Sequence, residues 1–409
     1  MKEKIKSKLK YFRRIIFYFV YRYFQKFRIY QIRKKQRIRV LFVVADIGMW
    51  KTENLYNMML NHNRFEPLLL PLANCRNPKS ETNVITYFES KGYRYTQIIG
   101  SRETVQSKFH PDIIFYQQPY DSFIDKKYFM MANLKSIICH VNYCFRNILD
   151  KQIADSPYLN IPFQQYMENE VCAREFAALM TTKGRNLIVT GLPIMDELIQ
   201  DKSVFVDPWK KMVGNRKRII FAPHYSIRDS DILAWGTCLT WGEFILSLAE
   251  KYKDQTQWVF KPHPALMDTL SQEWGKERAE SYFNRWKQLE NAQMIDGRYI
   301  EVFKHSDAMI HDCGSFSLEY FYAHKPMMFL YENTGRKDKV HINEITREAK
   351  TLHYRGDNEQ AIEQFIVDVI KGVDPMKKQR EEFFGKHLTP KGGQTACQNI
   401  IDAILGDKS

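Results

Sequence analysis

The first stretch of the chain repeats apolar residues at helical spacing. Plotted at about 100° per residue, Ile5, Leu9, Phe12, Ile16, Phe19, Val20, Tyr23 and Phe27 share one arc. Lys4, Lys8, Lys10, Arg14, Arg22 and Lys26 fall on the other side, and neither Gly nor Pro interrupts residues 1–39. The pattern predicts a basic amphipathic helix, and the spacing leaves its continuity open. After Arg39 the pattern changes. The continuous β-branched run from Arg39 to Ala45 is what a buried parallel strand requires. Further strands are expected at Pro67–Leu72, Tyr95–Ile99, Asp112–Tyr116, Ser136–Cys139 and Asn186–Thr190, with helices at Lys51–Asn61, Val84–Gly92, Val171–Lys183 and Pro193–Gln200. Asp207–Lys217, with Pro208, Gly214 and clustered cations, reads as a linker. A second alternation comes after it: strands at Arg218–Ala222, Gln257–Lys261, Ala308–His311 and Pro326–Tyr331, and helices at Trp241–Lys251 and Ser271–Leu289. Gln360–Lys371, Pro375–Phe384 and Thr395–Leu405 read as closing helices. Such alternation predicts α/β architecture: two Rossmann-like, doubly wound domains facing a cleft.

Charge sharpens the division. Of 61 Lys+Arg and 47 Asp+Glu, residues 1–39 hold 15 and one, leaving 46 of each in the body. A neutral body argues against a protein that coats nucleic acid. The apolar run from Ile15 to Tyr21 is far short of the ~20 residues needed to span a bilayer, and no small-residue cleavage site comes after it. An aromatic stripe beside Lys/Arg suits an anionic membrane surface, each nearby cation contributing about 1 kcal/mol. Phe12, Ile16, Phe19, Tyr23 and Phe27, with Lys10, Arg14, Arg22 and Lys26, are the candidate contacts. The seven cysteines include no Cys-x-x-Cys pair, which fits reduced thiols in an intracellular protein. The expected domains are 1–39 (membrane-surface helix), 40–212 and 213–409, with the molecule peripheral on the cytoplasmic face.

Neither a G-x-x-x-x-G-K-[ST] loop, a G-x-G-x-x-G turn, an H-E-x-x-H pair nor a G-x-S-x-G elbow occurs. The polar clusters instead sit where strands should end, which is where open α/β sheets bind ligands. In Trp258-Val-Phe-Lys-Pro-His-Pro264, two prolines fix the turn carrying Lys261 and His263. In the run from Ser306 to Tyr320, a strand leads to Asp312, a small-residue turn with Gly314, and a helix starting near Ser315 and Phe316. Hydroxyls and free N–H groups there suit an anion. His224, His305 and His311 are too irregularly spaced to predict a metal site, and no cofactor is expected.

Together and in this order, the two clusters resemble the carboxyl-terminal half of the CDP-glycerol glycerophosphotransferase family, the teichoic-acid-type polymerases and primases. Lys261-Pro-His-Pro264 matches that family's (K/L)-x-H-P turn. Ser306 to Ser315 matches its S-D-x-L-I-T-D-Y-S-S run, Glu319 its later acidic residue, and Lys325-Pro326 its K-P pair. Arg218–Ser226 looks like its strand into A-P-T-W-R, and Gly191 to Asp196 looks like G-x-P-R-x-D. The likeness spans about residues 110–335. It implies a GT-B fold, with a CDP-activated or other nucleotide-activated donor held by Pro223, His224, Lys261, His263, Asp312, Gly314, Ser315 and Phe316. It also implies that His140 is the catalytic base, acting on a hydroxyl of a polymer or lipid-linked acceptor, in cell-envelope or capsule synthesis.

The chain departs from the family in several places. Val141 replaces the Gly after the catalytic His, Ile194 and Ser226 stand where the family has Arg, and Asp312-Cys-Gly-Ser315 replaces D-Y-S-S. These changes bear on the transferred group more than on the nucleotide pocket. A glycosyltransferase using a UDP- or CMP-sugar, and a silent membrane scaffold, are the alternatives.

Overall fold

A computed structural model describes residues 2–75, 77–98, 102–118, 121–228, 231, 234–295, 297–332 and 341–406, with the side chains of 2–11 and 121 outside the description. The chain divides into two compact units: Met1–Glu197 with Leu388–Ser409, and Leu198–His387.

In the first unit, six parallel strands line up in the order β2-β1-β3-β4-β5-β6. They are β1 (Ile38–Val44), β2 (Phe65–Pro71), β3 (Ile113–Tyr116), β4 (Ile137–Val141), β5 (Gln164–Met167) and β6 (Leu187–Val189). Every residue of β1 except Arg39 is buried, as its unbroken apolar run requires of a strand covered on both faces. Phe42 of β1 stacks on Phe115 of β3 with centroids 4.8 Å apart.

Lys2–Arg33 is one helix, and it docks on this unit through its arginine-bearing side. Tyr18, Gln25, Ile29 and Ile32 are buried. Arg14 pairs with Asp155 at 2.5 Å. Arg22 donates to the carbonyls of Phe163 (2.9 Å) and Arg185, and Arg28 to those of Leu134 (3.1 Å) and Lys135. Arg33 donates to Ile404 (2.8 Å) and Ala403 (3.0 Å). Arg14 and Arg22, expected among the lipid-facing cations, therefore hold the helix to its own body. A guanidinium carries five N–H donors in a rigid fork, which suits unpaired carbonyls at strand and helix ends. The aromatic stripe faces outward: Phe12, Ile16, Phe19, Tyr23 and Phe27 are exposed, Tyr23 by 74%. Lys26 is exposed with them, and the side chain of Lys10 lies outside the described residues. Among the described residues, no helix is long and apolar enough to cross a membrane.

The second unit holds another parallel six-stranded sheet, in the order β12-β11-β10-β7-β8-β9. Its strands are β7 (Lys217–Ala222), β8 (Thr256–Phe260), β9 (Ala292–Met294), β10 (Ala308–His311), β11 (Met327–Leu330) and β12 (Tyr354–Gly356). Chain order reverses at β7, whose neighbours are β10 and β8. Phe260 stacks on Trp286 at 4.9 Å in the core of one face.

The structure departs from expectation in four places. The long helix predicted over 271–289 is two helices, Leu266–Trp274 and Lys276–Gln288, because Gly275 between them has φ +85°. The expected linker 207–217 packs into the second unit, where Trp209 is buried and donates to the Val302 carbonyl at 3.3 Å. Between Tyr95 and Ile99 the described residues make a single bridge, Tyr95 to Leu69, and Ile99 lies outside them. The last helix, Ala396–Leu405, packs in the first unit, where the Asp196 carboxylate accepts the Ala396 and Cys397 amides at 2.6 and 2.8 Å. A carboxylate at two free N–H groups of a helix start is a favourable cap.

Candidate active site

Three loops of the second unit extend from β7, β8 and β10, the strands around the reversal point. β7 ends at Ala222 and leads through Pro223 to His224; β8 ends at Phe260 before Lys261 and His263; β10 ends at His311 before Asp312. The register of the strands brings these ends together, Phe221 pairing with Phe260 and Ala222 with His311. The rings of His224 and His263 stand 5.0 Å apart, with Tyr225 beside both, 4.6 and 4.4 Å away.

Hydrogen bonds fix the form of both imidazoles. His263 Nδ1 accepts the Ala265 amide at 3.1 Å, and His224 Nδ1 accepts the Ser226 amide at 3.3 Å. Each ring therefore carries its proton on Nε2. Burial, reinforced by the other imidazole, lowers His224 to about 3. Burial and the Lys261 charge lower His263 to about 4. At neutral pH the pair are uncharged N–H donors. Lys261 adds a nearly buried ammonium, donating to the Gly297 carbonyl at 3.0 Å and lying over the Tyr299 ring at 5.7 Å. Two imidazole donors and an ammonium at adjacent strand ends can hold the oxygens of a phosphate.

Asp312 has a different part. Its carboxylate accepts the amides of His224 (2.5 Å) and Thr237 (2.6 Å) and the Thr237 hydroxyl (2.9 Å). It ties the His224 turn to β10, and burial raises its carboxyl to about 7 against the pull of those donors. Gly236 completes the turn: its amide donates to the Ser226 carbonyl at 2.9 Å, and a Cβ there would come within 2.7 Å of the His224 carbonyl oxygen. Gly236 and Thr237 escaped the sequence reading, since nothing in Trp235-Gly-Thr237 marks a partner 75 residues away. Gly314, Ser315 and Phe316 lie on the next turn, where the helix is only Phe316–Glu319. Ser315 makes no side-chain cap bond there, and its hydroxyl lies 3.5 Å from Cys313 Sγ.

Of the other extra histidines, His311 ends β10 with its Nδ1 3.1 Å from the Cys313 carbonyl, and His305 lies at the other end of that strand. His305 sits before β10 and its Nδ1 bonds the Glu301 carbonyl at 2.9 Å, while His311 is buried beside His353 at 5.3 Å. Among the described residues, no three His, Cys, Asp or Glu side chains gather as for a metal.

His140 belongs to the first unit, on β4 one residue before its end. It is fully buried, its ring edge-on to Tyr158 at 4.6 Å and Nε2 3.4 Å from the Gln118 carbonyl. Burial, then the charge of Arg146, lowers it to about 3, with Gln118 and Gln165 pulling the other way. The ring is thus neutral at neutral pH, and its burial opposes the uptake of a proton. Arg146, unremarked in the sequence, forms a buried pair with Glu168 at 2.6 Å just beyond β5. Breaking such a pair strands a charge, so both residues are firmly held.

Residues 163–351 match the model of the CDP-Glycerol:Poly(glycerophosphate) glycerophosphotransferase family. That span contains all three loops of the second unit. No curated protein sequence matches the chain. Among solved structures, the wall teichoic acid polymerase TagF aligns over 100% of this chain and 98% of its own, with TM-score 0.58 and 11% identity. UDP-GlcNAc 2-epimerase from Methanocaldococcus jannaschii, in complex with UDP-GlcNAc and UDP, aligns over 90% of this chain and 100% of its own (TM-score 0.57, 14% identity). The Neisseria meningitidis UDP-GlcNAc 2-epimerase gives TM-score 0.54 at 14% identity, over the same shares. At these identities the neighbours establish the GT-B-like α/β fold, and the family match establishes a glycerophosphotransferase-like transferase. Across residues 163–351, then, the chain is similar to the CDP-glycerol:poly(glycerophosphate) glycerophosphotransferase family.

Proposed function

We propose that the protein moves a glycerol-phosphate or related polyol-phosphate unit from a CDP-activated donor to a hydroxyl of a surface-polymer or lipid-linked acceptor. The acceptor oxygen forms a bond to the polyol-bearing phosphorus. The bond from that phosphorus to the bridging oxygen breaks, and CMP leaves with the electron pair. His140, neutral because of its burial, takes the acceptor's proton, and the negative charge of the bound donor raises its proton affinity toward what this role needs. His224, Lys261 and His263 hold the diphosphate oxygens and stabilise charge as it moves to the leaving group. The observation that carries this reading is the family's sequence pattern lying on the strand-end loops that gather these donors.

We further place the protein at an anionic membrane surface. Support comes from the first helix, whose aromatic stripe stays exposed after the helix has docked. A lipid-linked acceptor would be reached from there.

The deciding experiment offers purified protein CDP-glycerol, CDP-ribitol and a panel of UDP- and CMP-sugars, and monitors nucleotide release. CMP release from a CDP-polyol is expected. Release from sugar nucleotides alone overturns the polyol-phosphate reading, and neither release nor calorimetric binding would leave a scaffold.

A further inference from the structure

A cavity of about 570 Å³ opens in the second unit where β7, β8 and β10 begin, at the opposite strand ends from His224, His263 and Asp312. Small-molecule sites typically have volumes of ~300–1,000 Å³, so this one is large enough for more than a single ion. Lys202, Arg216, Arg218, Lys304 and Lys325 line it, against the carboxylates of Asp201 and Asp307. Asp307 accepts the Arg218 amide at 2.9 Å, and Asp201 caps the amide of Ser203 at 2.8 Å. Arg218 is also paired with Asp207 at 2.8 Å. Even with Asp207 included, cations outnumber carboxylates by two.

With Arg218 paired to Asp207, Lys202, Arg216, Lys304 and Lys325 remain against Asp201 and Asp307. Arg216 donates only to backbone, to Lys253 (2.9 Å) and Val213 (2.6 Å), so its charge stays uncompensated. Lys304 and Lys325 form no ion pair or hydrogen bond among the described residues. Lys304 is half-buried, and its desolvation, opposed by Asp201, lowers the ammonium to about 8. His324, whose ring feels the charges of both lysines, is a non-glycine residue held at φ +54° with its ring on Phe384 at 4.6 Å. Beyond it, Lys377 and Glu381 lie 3.9 Å apart and add no net charge. A partly desolvated ammonium that shares the charge of one carboxylate, Asp201, with Lys202 favours an anionic ligand.

We propose that this cavity is a second anion site that binds a phosphodiester-bearing polyanion, separately from the donor loops. Five cations line one cavity of about 570 Å³, more charge and more room than a single phosphate needs, which suits successive phosphates. The inference does not depend on the transferase reading, because its test measures binding alone.

Tripolyphosphate is titrated calorimetrically into the full-length protein carrying His263→Ala, which weakens the donor loops. Binding should persist and should weaken as salt is raised. Adding Lys304→Gln and Lys325→Gln should cost about tenfold in affinity for each charge-assisted bond removed. Both lysines are partly exposed, so the fold should survive, and circular dichroism checks that. Unchanged affinity in the lysine variant, or no binding by its parent, overturns the site. A soluble poly(glycerol phosphate) oligomer and phosphatidylglycerol vesicles then compete for it. Displacement by the first identifies a polymer chain and by the second a lipid headgroup. Displacement by neither refutes a phosphodiester site.

Discussion

At the scale of single residues, histidines divide the labour. His140 and His263 are both neutral because burial disfavours their charged forms, yet different outcomes are expected on removing them. His140→Ala should lower turnover by ~10²–10⁴ and leave the donor's Kd within about twofold, since a general base acts on the moving proton and not on the bound nucleotide. Unchanged turnover would remove His140 from the reaction. His263→Ala should weaken donor binding by about tenfold or more, the worth of one hydrogen bond to a charged group; an unaltered Kd would exclude a diphosphate contact. In the sequence, prolines mark the His263 turn, whereas only the resemblance to the family's strand and histidine turn marks His140. The sequence concealed what holds them. Thr237, Gly236 and the pair Arg146–Glu168 act through partners far away in sequence, and no local pattern encodes a distant hydrogen bond.

At the scale of elements, legibility tracked chemistry. Strands buried on both faces, such as β1, read clearly because they are uniformly apolar. β5, whose sequence is Gln-Gln-Tyr-Met, did not: its glutamines are buried, Gln164 donating to the Ala403 carbonyl at 2.9 Å and Gln165 to the His140 carbonyl at 3.3 Å. β9 and β12 are three residues each, too short for a period to show. The first helix was legible as amphipathic, but which side would dock was not. Aromatic rings are the expected anchors, whereas carbonyls at strand and loop ends recruit arginines instead. This gives a separable prediction. Replacing Phe12, Ile16, Phe19, Tyr23 and Phe27 with Ser should abolish flotation with anionic vesicles while the melting temperature holds. Arg14→Gln with Arg22→Gln should lower the melting temperature and spare flotation. The reverse pattern would show that the stripe packs on protein and that the arginines meet lipid.

For the whole molecule, buried imidazoles set the response to acid. His140, His224 and His353 lie near 3 and His263 near 4, against an ordinary value of 6.5. Between those limits the unfolded chain binds protons that the folded chain refuses. The stability they contribute is complete above about pH 6.5 and is lost as pH falls. One pH unit below 6.5, each such group costs about 1.4 kcal/mol. Asp312, raised to about 7, has the opposite sign, stabilising the folded state as pH falls below 7 and offsetting part of the loss. His311 and His324 are lowered in the same way and Asp196 is raised, so depressed imidazoles outnumber raised carboxyls and predict a melting temperature that drops between pH 7 and 5; a flat profile would mean that these rings are solvated. The grip of Arg33 on the carbonyls of Ala403 and Ile404 has a consequence in time. A ribosome makes the first helix hundreds of residues before the helix that it clasps. Until translation passes residue 404, the amino-terminal helix lacks one of its anchoring points. Its aromatic side is complete early in synthesis, but its final seat against the body must wait until Ala403 and Ile404 have been made.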